Sequence, residues 1–87
     1  MKHKKTKYCY ALCESMSGMT IHQRNVQEVY DSYNKAIQRC VYFNENYAYN
    51  VKLRQGYQKN DGSFDAYVRV DSKKDARWFY IHMFILR

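Results

Sequence analysis

Cysteine and histidine are the residue types in this chain that could hold a metal or attack a substrate, and there are three of each. Cys9 and Cys13 would share one face of a strand, and His22 or Cys40 could complete a ligand set. The two-residue gap of zinc knuckles is absent, however, and no second ligand pair is recognisable, so no metal site is expected and the thiols are read as core residues. His3, His22 and His82 lie in unrelated contexts. None belongs to a pattern that fixes a nucleophile, a base and an orienting acid. There is no glycine-rich phosphate loop, and Asp61-Gly62 is a turn signal rather than a calcium loop. The expectation is a protein without catalytic residues or cofactor.

The second constellation is aromatic and basic. From Arg77 to Arg87 the chain reads Arg-Trp-Phe-Tyr-Ile-His-Met-Phe-Ile-Leu-Arg. This run is too short to span a bilayer as a helix and is rich in aromatic and β-branched residues, which predicts a strand. Alternation places Phe79, Ile81, Met83 and Ile85 on one face and Trp78, Tyr80, His82, Phe84 and Leu86 on the other. Both faces are apolar, as in a central strand that needs cover on two sides. If the more aliphatic face is the core, the opposite face carries Lys52, Arg54, Tyr67, Arg69, Trp78, Tyr80, His82 and Phe84. Rings of this kind can stack on unpaired bases at roughly 1–3 kcal/mol each while the cations neutralise phosphates. The layout is similar in general chemistry to RNA-recognition-type sheets, although their aromatic ribonucleoprotein motifs are absent. The competing reading is second-face packing, covered by loops, the basic arm or a twofold mate.

Those residues have to be positioned by the rest of the chain. Thr6 to Cys13 alternates Tyr8, Tyr10 and Leu12 against Cys9, Ala11 and Cys13, which predicts a first strand, and residues 14–19 read as a loop. Val26, Val29, Tyr30, Tyr33, Ile37, Cys40 and Val41 recur at helical spacing. Thr20 and Gln23 fit a capping box, so the helix is expected to start near Ile21 and to end at Asn44-Glu45-Asn46. Tyr47–Gln55 and residues 64–70 alternate on either side of Asn60-Asp61-Gly62 and predict a hairpin. Residues 71–75 read as a charged connection into the terminal strand. The resulting expectation is one small α+β domain over residues 1–87, in the order β-α-β-β-β, with one helix on one face of a four-stranded, mostly antiparallel sheet. The expected strand order is 2-3-4-1. The basic arm 1–5 is read as a flexible terminus.

Composition narrows the function. At 87 residues with 46% hydrophobic, 17% aromatic and 26% charged residues, the chain has a globular profile, yet one that buries only about 60–65% of its unfolded surface, so a deep enzyme cleft is hard to build. The net charge of +7 favours a polyanionic partner or an acidic protein surface. The basic start is not followed by a long apolar core, and the cysteines have no disulfide-framework spacing, so a cytoplasmic protein without membrane association is expected.

Three readings follow. The first is a free nucleic-acid module that binds RNA or single-stranded DNA through the ring-and-cation face. The second is a stoichiometric inhibitor or regulator, of the kind phages and mobile elements encode, that binds a host protein or nucleoprotein complex such as a defence nuclease. Its small size and charge resemble the profile of anti-CRISPR proteins without a matched motif. The third is a homodimer that buries the Trp78 face. The second ranks first, because the helix carries mixed charge and no nucleic-acid motif is present.

Overall fold

The computed structural model describes residues 7–19, 25–56 and 65–86. Its elements are β1 (Lys7–Met16), β2 (Asn25–Tyr30), α1 (Tyr33–Tyr47), β3 (Tyr49–Gln55) and β4 (Tyr67–Leu86). They form one helix packed against a four-stranded sheet in the order β2-β1-β4-β3, with every neighbouring pair antiparallel. The α+β class and the helix-on-sheet arrangement are as expected. The order along the chain is not: it runs β-β-α-β-β.

The difference arises at residues 25–32. Val26, Val29 and Tyr30 match a helical stripe by spacing, but they lie in β2, paired to β1 through Tyr10↔Tyr30, Ala11↔Val29 and Cys13↔Val26. β-branched residues favour this extended state. The helix starts only at Tyr33, where Ser32, in an extended conformation, accepts a hydrogen bond from the Lys35 amide at 3.4 Å. The Thr20–Gln23 capping box and the helix start near Ile21 lie outside the described residues. At its other end, α1 runs past Asn44 to Tyr47. The left-handed asparagine is instead Asn50, with φ 54°.

β4 absorbs three expected pieces. The third strand, the charged connection and the terminal strand form one strand of 20 residues, which explains the elongated shape of 54 × 24 × 20 Å. Its first half pairs with β3, from Gln55↔Tyr67 to Tyr49↔Arg77, with two register shifts. Its second half pairs with β1, from Met16↔Arg77 to Lys7↔Leu86, without a break. The expectation that the terminal strand lies internally beside the first strand holds. β1 also extends to Met16, through residues expected in a loop, and turns at Gly18 with φ 91°. The β3–β4 ladder is closed by the Gly56 amide donating to the Ala66 carbonyl at 2.8 Å. A Cβ at Gly56 would sit 1.5 Å from the Asp65 carbonyl oxygen, so only glycine fits.

The core lies between α1 and the sheet. Leu12, Ala36, Cys40, Ala66, Phe79 and Ile81 are buried there, with Tyr10, Tyr30, Tyr33, Ile37, Phe43 and Tyr67 packed around them. Edge-to-face rings tie helix to sheet: Phe43 stands 5.1 Å from Phe79 and Tyr33 5.6 Å from Tyr10. α1 packs on β4, β1 and β2 but not on β3. Val51, Leu53 and Val68 are therefore only half-buried, and Val70 is 58% exposed. A helix of 15 residues is about 22 Å long, too short to cover both halves of a 20-residue strand.

Candidate binding surface

The sheet face away from α1 is built by alternation along β1 and β4 and by a register shift between β1 and β2. Trp78, Tyr80, His82 and Phe84 occupy it on β4, as expected. Their cross-strand partners on β1 are Ser15, Cys13, Ala11 and Cys9, and Val26 and Val29 extend the face onto β2. Ala11, Cys13 and Tyr80 are buried in a small second cluster against which Trp78 packs. Small residues on β1 let the large rings of β4 lean over them, which is how a sheet face can bury its centre without a second layer. Val26 and Val29 stay exposed, Val29 at 58% and Phe84 at 37%. Among the described residues no helix or strand lies over this face.

The rings contact one another. Trp78 and Tyr80 have centroids 5.3 Å apart with planes tilted by 42°, and His82 meets Phe84 edge to face at 4.5 Å. Such packing directs ring faces toward neighbouring rings.

The seven residues expected to form one site are divided. Trp78, Tyr80 and His82 share the face just described. Tyr67 does not: it packs into the helix-side core, and burial raises its phenol pKa. β4 begins only at Tyr67, after a bend at Ala66, so the alternation expected through residues 64–70 does not run unbroken. Lys52, Arg54 and Arg69 are exposed on the β3–β4 arm, where Lys52 stands opposite Asp71 and Arg69 opposite Leu53. Nine residue steps along the strand lead from Arg69 to Trp78, about 30 Å at full extension. A shallow groove on this arm is lined by Asn50, Val51, Lys52, Asp71, Ser72 and Lys73, whose charges have mixed sign.

The strongest electrostatic groupings serve the helix side. Glu28 on β2 accepts from Arg39 Nε at 3.0 Å and from the Tyr30 hydroxyl at 2.7 Å. The bond from Arg39, then that from Tyr30, holds the Glu28 carboxyl below the usual carboxylate range. This clamp contributes fully above the ordinary glutamate pKa and weakens as pH falls through the lowered one. Glu14 is buried, pairs with Arg77 and accepts from Asn25 Nδ2 at 2.5 Å, linking three strands. The Cys40 thiol is pushed up to about 12, chiefly by burial, and is therefore a poor nucleophile. Cys13 and Cys40 lie in clusters on opposite faces of the sheet. Among the described residues no three His, Cys, Asp or Glu side chains come together as metal ligands, and no helix is long and apolar enough to cross a membrane. His22 lies outside the described residues.

Sequence reasoning missed two contributors to the surface: Val26 and Val29, assigned to the helix stripe. Strict alternation would set Val26 and Val29, three residues apart, on opposite faces; the register shift in the β1–β2 pairing brings them to the same one. No protein-family model, curated protein or solved structure matches this chain.

Proposed function

We propose that this chain is a non-catalytic binding protein that docks on another protein through the Trp78 face. The observation that carries the reading is the apolar surface of exposed Val26, Val29 and Phe84 and half-buried Trp78, which no helix or strand covers among the described residues. Contiguous apolar surface of this kind marks interaction sites. The net charge of +7 speeds encounter with an acidic partner. An inhibitor or regulator of a host protein or nucleoprotein complex in the cytoplasm is the role that such a small basic protein suits. Direct binding of RNA or single-stranded DNA ranks second. The rings lean on one another, and Lys52, Arg54 and Arg69 lie on the far arm, so cations and rings do not form one track.

Capture from a nuclease-treated lysate, followed by reconstitution with the purified partner, tests the reading. Trp78 is the chain's one tryptophan, so its fluorescence reports on this face directly. The expected result is a defined protein whose binding shifts Trp78 emission and is lost in Val29→Lys, a change on the exposed surface. Binding of single strands that shifts Trp78 emission and vanishes at high salt, with no protein partner, would replace this reading with the nucleic-acid one.

A further inference from the structure

Charge is segregated along this chain. Among the described residues outside the β3–β4 arm, Lys7, Lys35, Arg39 and Arg77 are matched in number by Glu14, Glu28, Asp31 and Glu45, and Asp31, Glu28 and Glu14 hold Lys35, Arg39 and Arg77 in ion pairs. On the arm, residues 49–56 and 65–76, Lys52, Arg54, Arg69, Lys73 and Lys74 outnumber Asp65, Asp71 and Asp75. These five cations are exposed, and none forms an ion pair with another described residue. Charges that only keep an edge from further pairing can be of either sign. An unpaired excess of one sign is the footprint of a polyanion site.

The ladder settles which face carries them. Cross-strand partners share a face, and Gln55 stands opposite Tyr67, which packs toward the helix-side core. Alternation along β3 puts Val51 and Leu53 on that face with Gln55, and Lys52 and Arg54 on the outward one. Lys73 joins Lys52 in lining the shallow groove of the arm, beside Asn50, Ser72 and Asp71. α1 does not pack on β3, and β1 pairs with β4 only from Arg77 onward. The arm is therefore a two-stranded ribbon whose outward face no helix or strand covers among the described residues.

Its shape favours a duplex over a single strand. Gripping single strands takes a row of exposed rings, and among the described residues the arm exposes one, Tyr49, since Tyr67 is turned to the core. The major groove of B-form DNA, about 12 Å wide, admits a two-stranded ribbon, whereas that of A-form RNA is deep and narrow. We propose that the β3–β4 arm binds double-stranded DNA without regard to sequence, seated along the major groove with Lys52, Arg54 and Lys73 on phosphates. Asp71, opposite Lys52, repels the same phosphates and holds the affinity down. The site is separate from the Trp78 face, so it stands independently of the docking reading.

Fluorescence anisotropy of a labelled, mixed-sequence DNA duplex, titrated with the full chain at several salt concentrations, tests it. Binding is expected at low salt, with a slope of log K against log salt of about −3 for three phosphates. Lys52→Gln and Arg54→Gln should each weaken it about eightfold at about 0.1 M salt and flatten the slope by about one. Lys35→Gln makes the same charge change on α1 and should alter binding by less than about twofold, because salt screens a distant charge. Asp71→Asn should tighten binding about threefold. Val29→Ser trims the Trp78 face without changing charge and should leave DNA binding intact. No binding to the duplex at low salt, an A-form RNA duplex or polyglutamate bound as tightly as DNA, equal losses in Lys52→Gln and Lys35→Gln, or loss of binding in Val29→Ser overturns the proposal.

Discussion

Along β4, residues 67–76 carry Arg69, Asp71, Lys73, Lys74 and Asp75, whereas residues 78–86 carry no formally charged side chain at pH 7 apart from His82, when protonated. The first half pairs with β3 through a ladder broken by two register shifts, and the second pairs with β1 without interruption. α1 covers the second half and leaves β3 bare. Phe79 and Ile81 are fully buried; Val70 is among the most exposed hydrophobic residues. The charges and irregularities of the first half discourage further pairing. In the second half the apolar composition that builds the core also leaves an apolar face. The core and the apolar second face thus lie at one end of a long strand, while the other end projects as a polar arm.

The contrast can be broken most directly by truncating one apolar side chain in each half. Phe79→Ala removes a ring that Phe43 and the Arg77 guanidinium, 5.0 Å from its centroid, both contact. It should cost about 3–5 kcal/mol in denaturant unfolding, whereas Val70→Ala should stay within about 0.5 kcal/mol. Equal losses at the two sites would mean that the arm is packed as tightly as the core. Asn44→Ala comes next. It strips the Phe79 amide of its partner and leaves the carbonyl with the Cys40 thiol alone, at 3.6 Å, for an expected loss of about 1–3 kcal/mol and faster exchange of the Phe79 amide. Unchanged exchange there would show that the carboxamide does not seal the edge.

How far this contrast could be read in advance depended on the kind of signal. The two faces of residues 78–86 follow from period-2 alternation in a segment whose residue types all favour a strand, and both faces were legible. So was the neighbouring position of the first strand. The β2 segment was not: Val26, Val29 and Tyr30 keep helical spacing, and the pairing with β1, whose register shift brings Val26 and Val29 to one face, is a tertiary effect. The true helix start at Ser32 has Lys35 rather than Glu or Gln three residues on, so it offers no capping box. Residues 71–75 looked like a loop because they are charged, yet an edge strand that must avoid further partners is charged for the same reason. Uniting Tyr67 with the Trp78 face required alternation to run through Ala66, where a bend resets it.

The smallest expected effect lies at the junction of the two halves. Asp75 has φ 60° and accepts from Asn50 Nδ2 at 3.3 Å through its carbonyl, and Asn50 is itself left-handed at φ 54°. Two non-glycine residues in this region mark where three more residues of β4 than of β3 must be accommodated between Val51↔Ser72 and Tyr49↔Arg77. Aspartate tolerates the conformation better than most L-residues but still at a cost, which glycine removes while adding freedom to the unfolded chain. Asp75→Gly should therefore raise stability by only about 0.5 kcal/mol, and Asp75→Val should lower it by about 1–2 kcal/mol. If the valine variant were neutral, the left-handed turn would not hold the ladder's irregularity in place. The arm could then slide in register against β3 while the ladder between β1 and the second half of β4 stayed fixed. Amide exchange along residues 67–76, compared with residues 78–86 in the same variant, separates these outcomes.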